Sequence, residues 1–194
     1  MLIDRKLNLV VPIEREHGTI YVHSTPIGRE VFDSYFIILG MAHSQIFKRG
    51  MDFVGGPRLA AKMIEHVARQ ERAWEGPTGV ENGLMAEIKR LTNVLMPSPQ
   101  GSGWTMLPLD VVATMDVLTE DEYAETLGVI CFFTLVSAMT LKKQRPSFLS
   151  MMTGFCQVQT TSLDCSEFVN SLPTSTGTGS SAGTATVVVS SGTS

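Results

Sequence analysis

Charge is missing from the last 21 residues of this 194-residue chain, and Glu167 is its final charged side chain. Sixteen of those 21 residues are Ser, Thr or Gly, a composition that cannot bury enough apolar surface to offset its ordering entropy. Residues 173–194 therefore read as a flexible tail, within which Val187, Val188 and Val189 alone have the β propensity to join a sheet edge. Clustered basic charge is lacking too. The 15 Lys and Arg stand scattered against 19 Asp and Glu, for a net charge of −4. Only Lys142, Lys143 and Arg145 fall together, at an expected helix C-terminus where cations complement the backbone dipole. Nucleic acid, which needs grouped cations, is not the expected partner.

Cysteine is scarce. Cys131, Cys156 and Cys165 form an odd set without CxxC spacing, which suits a reducing compartment better than a disulfide framework. Cys131 lies in an apolar run and reads as a small core residue, whereas Cys156 and Cys165 are near enough in sequence to meet in the fold. Long apolar runs are also absent. The longest, residues 127–139, is broken by Gly128, Thr134 and Ser137 and is too short to span a bilayer. The opening MLIDRKLN has no apolar signal-peptide core. A cytoplasmic protein without a membrane partner is expected.

Reactive motifs are missing as well. Gly55-Gly56-Pro57 precedes a helix but lacks the Gly-Lys-Ser/Thr ending of a phosphate loop. No serine sits in a GxSxG or SxxK context. His17, His23, His43 and His66 have no metal-ligand spacing. Glu120, Asp121, Glu122 and Glu125 cluster, but carboxylates in the first turn of a helix are explained by the dipole. No catalytic residue, metal or cofactor is expected, and the chain does not read as an enzyme.

The remaining pattern is mostly helical. Residues 7–13 alternate and residues 19–23 are β-branched and aromatic, which predicts a hairpin turning at Gly18. Pro12 places its strand at an edge or at its end. Thr25-Pro26 predicts a helix start, with an apolar stripe of Val31, Phe32, Tyr35, Phe36, Leu39, Ala42, Ile46 and Phe47 closing at Gly50. Further helices are predicted over 57–74, 80–96 and 109–118. Thr119 with Glu122 forms a capping box opening a central helix to about 143. Two more follow, over 146–155 and, capped by Ser162, over 163–172. Residues 97–103 read as a loop anchored by Trp104. The expected fold class is mainly α: a β-hairpin over 1–24, a helical body over 25–172 in the same domain, and the tail.

Eleven methionines are spread through the chain; composition leaves them open between an adaptable docking surface and gap-filling in the core. Phe148, Met151, Met152 and Phe155 concentrate apolar bulk late in the body and are the candidate partner-binding residues, as a docking patch or a cap on the core.

Four stretches resemble a known family. LNLVVPIEREHGTIYVHSTPIGREVFDSYF (7–36), GPRLAAKMI (56–64), LMAEIKRLTNVLMP (84–97) and QTTSLDCSEFVNSLPTST (159–176) are similar to tail assembly chaperones of bacteriophages with long, non-contractile tails. The resemblance implies a host-cytoplasmic protein that coats the tape-measure protein until tube subunits assemble around it. In many such phages a frameshifted longer form recruits the tube subunits, for which the tail here would be a tether. The motifs carry no catalytic residue, and self-association stays open. The competing expectation is a minor structural component of the tail or connector, pairing through an open strand edge at residues 7–13.

Overall fold

The computed structural model describes residues 1–16, 18–50, 53–98, 103–115 and 117–173. His17, Met51 and the tail beyond Pro173 lie outside the described residues.

The short strand Leu2–Ile3 (β1) turns through residues 4–8 into Leu9–Arg15 (β2), which pairs antiparallel with Gly18–Ser24 (β3). This is the expected hairpin, with Gly18 at φ +122°, a conformation open to glycine. The helix Arg29–Lys48 (α1) and the helix Gly56–Gln70 (α2) follow. Next come a π-turn Glu81–Met85 and the short helix Ala86–Arg90 (α3). Two strands, Thr92–Pro97 (β4) and Trp104–Pro108 (β5), lead into Leu109–Thr114 (α4) and Glu120–Met139 (α5). A 3-10 turn Lys142–Gln144, Arg145–Met152 (α6), Gln157–Val158 (β6) and Cys165–Ser171 (α7) complete the described chain. The strands form one sheet in the order β5-β4-β3-β2-β1-β6, antiparallel except that β6 runs parallel to β1.

The fold is therefore α/β, and the expectation of a mainly α body carrying a hairpin is corrected. Among the described residues 54% are helical and 18% lie in strands, and the strands form one six-stranded sheet rather than an isolated hairpin. The error sits mainly at residues 80–96. Leu84, Ile88, Leu91 and Leu95 repeat at helical spacing, but only the first part is helical. Thr92 and Val94 point to one face of β4 and Asn93 and Leu95 to the other, and β4 pairs with β3 from Ser24↔Thr92 to Tyr21↔Leu95. A strand buried on both faces has no polar alternation to betray it, and β3 offered an unpaired edge. β4 in turn pairs antiparallel with β5, with Pro97 opposite Trp104; of the expected loop over 97–103, residues 99–102 lie outside the described residues.

Smaller differences have equally local causes. Pro12 is not on an outer strand, but β1 reaches only Leu9 and Val10, so β2 has one neighbour where the N–H is missing. Helix α1 starts at Arg29 rather than at Pro26 because both the amide and the hydroxyl of Thr25 bond to the Leu91 carbonyl, holding residues 25–28 extended. Asp164, not Ser162, caps α7, accepting from Ser166 N at 3.1 Å.

Helices α1, α2 and α5 cover one face of the sheet, burying Leu9, Ile20, Val22 and Val94 in a continuous core. Helix α5 is apolar on nearly every side, and its 20 residues with mean hydropathy 1.3 meet the length and composition of a membrane span, contrary to the expectation from the shorter 127–139 run. In this fold 56% of that window is buried inside the protein, against α2 and the sheet. The other face of the sheet carries Val10, Tyr21, Leu95 and Trp104, covered by Leu163 and Phe168 of the α7 segment.

The expected capping box opens α5: Thr119 N donates to Glu122 Oε2 at 2.8 Å, and Glu122 N to Thr119 Oγ1 at 3.2 Å. Arg15, at the end of β2, donates to both Glu122 carboxylate oxygens and to the Val117 carbonyl at 2.6 Å. The Arg15 hydrogen bonds hold the Glu122 carboxyl below its ordinary pKa. A depressed folded pKa contributes stability above the unfolded value and loses it as pH falls through the folded one. Arg15→Ala is expected to cost about 1 kcal/mol at neutral pH. In thermal melts, the gap from wild type should narrow below pH ~4.

Candidate functional site

The close crossing of α2 and α5 shapes an apolar recess that opens to the surface at exposed side chains. A Cβ on Gly56 would lie 2.3 Å from Phe132 Cε2, and one on Gly128 would lie 2.4 Å from the Pro57 carbonyl oxygen. Without side chains at these two positions the helices approach closely, and Phe132 turns across the start of α2. Phe53 packs edge-on to Phe132 with ring centroids 5.5 Å apart, and Phe155 stacks on Phe53 at 5.2 Å with 23° between planes. The row continues through Phe47, 6.0 Å from Phe53, to His43 at 4.5 Å.

Between these rings lies a cavity of about 30 Å³ lined by Met1, Leu9, Pro57, Val129, Phe133, Met152 and Cys156 as well as Phe53, Phe132 and Phe155. That is room for one small group, and a lining of carbon and sulfur keeps it dry. Its mouth is apolar too, since Phe155 is 44% and Met1 36% exposed. Such a recess can accept an apolar side-chain tip from outside; the Cys156 thiol in its lining is raised above its ordinary pKa by burial.

Of the four residues singled out from sequence, Phe155 forms the rim and Met152 the floor. Met151 is 49% exposed on the outer side of α6, and Phe148 is buried against Phe133 at 6.1 Å. Phe53 and Phe132 were missed. The adjacent pair Phe132-Phe133 inside an all-apolar helix and an aromatic just before Gly55-Gly56-Pro57 were the available signals.

A second cluster is polar and buried. Asp4 Oδ1 accepts from the amides of Lys6 and Asn8, each at 2.9 Å, and Oδ2 accepts from Asn8 Nδ2 at 2.9 Å and Leu163 N at 2.7 Å. His23 Nε2 lies 2.6 Å from the Leu163 carbonyl, which can only accept, so Nε2 carries the proton. Nδ1 is buried without a hydrogen-bond partner among the described residues. Leu163 is thus held from both sides, amide by Asp4 and carbonyl by His23, directly before α7. This geometry anchors a helix.

The three cysteine thiols are quenched rather than activated. Burial pushes the Cys131 thiol up to about 12 and raises Cys156 and Cys165, so all three are protonated at neutral pH. Cys156 belongs to the helical side of the sheet and Cys165 to the α7 side, beside Met106; they do not meet. Burial lowers His43 below its ordinary value, and His66 is exposed on α2. Among the described residues no group of three or more His, Cys, Asp or Glu is placed to hold a metal ion.

Comparison with known proteins finds no matching family model, no similar curated protein and no matching solved structure.

Proposed function

We propose that this chain is a tail assembly chaperone of a long-tailed bacteriophage, acting in the host cytoplasm. It binds the tape-measure protein and keeps it soluble until tube subunits assemble around it. The observation that carries this reading is the aromatic recess under Phe155: an apolar socket with room for one small group and an exposed apolar rim. A long amphipathic helix presents similar apolar side chains every three or four residues, and such a socket can take any of them in turn. The resemblance supports the same reading, because its four stretches supply β2, β3, β4, the opening of α2 and the whole of α7. The uncharged tail fits a tether for tube subunits.

The competing reading, a tail or connector subunit, keeps part of its argument: β1 covers β2 only at Leu9 and Val10, so residues 11–13 of the expected pairing edge have β3 as their one strand neighbour. Co-expression with the tape-measure protein is expected to raise its soluble yield and to yield a co-purifying complex. Phe155→Asp, on an exposed rim position, is expected to weaken capture by about tenfold or more with little change in melting temperature. Unchanged yield without co-purification would contradict the proposal.

A further inference from the structure

We propose that the outer face of α1 is a self-association surface, on which a second copy of this chain packs its own α1 in antiparallel orientation. The face is built from Phe36 and Ile37, then Gly40 and Ser44 on the two following turns, all on the part of the helix after its kink at Tyr35. Phe36 is 53% and Ile37 56% exposed, an unusual outlay of large apolar surface on two adjacent residues. Gly40 sits at the middle of the face, and a Cβ there would meet nothing within 4 Å. A second helix can therefore come close at that point.

Charge selects the occupant and its direction. Arg29, Glu30 and Asp33, together one negative charge, lie before Gly40 across a kink at Tyr35 (φ −122°, ψ 15°), and Lys48 with the C-cap Arg49 lies eight and nine residues after it. In an antiparallel pair crossing at Gly40, the acidic end of each copy faces the basic end of the other, twice over. The helix dipoles are opposed as well. A parallel pair would set like charges against each other. Lys48 and Arg49 make no ion pair among the described residues, and Asp33 holds only the highly exposed Arg29 at 3.3 Å. Both ends are therefore open to a partner. An unrelated helix would need to reproduce this reversal of charge about its centre; a second copy has it by construction.

Sedimentation equilibrium of the full chain, without the tape-measure protein, tests this separately from the proposed function. The wild type is expected to approach twice the mass of one chain as concentration rises. Ile37→Asp is expected to abolish the association while leaving the circular dichroism unchanged, because Ile37 is exposed. Asp33→Lys and Lys48→Glu should each weaken it about tenfold, and mixing these two variants should restore it, since every pair across the crossing is again opposite. A chain monomeric at every concentration overturns the proposal. So does a dimer indifferent to Ile37→Asp, or a mixture no tighter than its components.

Discussion

Replacing Asp4 by alanine is expected to cost about 3–5 kcal/mol, enough to unfold a domain of ordinary stability or leave it marginal. Its carboxylate is fully buried and accepts four hydrogen bonds, three from the turn between β1 and β2 and one from Leu163. Alanine leaves those donors without acceptors in a place water does not reach, which costs more than the bonds themselves contribute. The turn has a second dependence on this group: Leu7 sits at φ +72°, a strained value for a leucine, tolerated because the surrounding bonds fix it. Asp4→Asn should recover only part of the loss, since its amide group is a donor set among donors. Urea titration reads the free energy. Limited proteolysis should show early cutting at residues 157–165, because Leu163 loses one of the two groups that hold it.

Gly128→Ala is the second large effect, and its sign decides between two principles. In an exposed helix the exchange stabilises by about 1 kcal/mol through propensity alone. At Gly128 the new methyl carbon would lie 2.4 Å from the Pro57 carbonyl oxygen, a backbone atom that cannot rotate away. Helices α2 and α5 must part, and with them the rings of Phe132 and Phe53 that rest on the crossing. The expected outcome is a loss of about 2–3 kcal/mol, seen as a fall in melting temperature of roughly 4–12 °C for a chain of this size. A stabilised variant would mean that the crossing is looser than described.

How much of this was legible beforehand follows from what each signal measures. The β2–β3 hairpin, the Gly50 and Pro57 boundaries and the Thr119–Glu122 box depend on residues within a few positions of one another, and those were read correctly. Strands β4 and β5 were not, because their pairing partners are far away in sequence and β4 is apolar on both faces. Strands β1 and β6, of two residues each, exist only because the two ends of the described chain meet. The recess was half legible. Phe155 and Met152 were visible as apolar bulk, but Phe53 and Phe132 become part of it only through the glycines that bring α2 onto α5. The role of His23 as an anchor needed Leu163, 140 positions away.

The central claim is that one apolar socket receives the helices of a tape-measure protein. Hydrogen–deuterium exchange on the full chain, with and without a soluble helical segment of that protein, tests it most directly. Protection is expected at residues 53–58 and 152–157, around Phe53 and Phe155, with the opposite sheet face under α7 unchanged. Binding without protection there, or protection confined to the α7 face, would contradict the account.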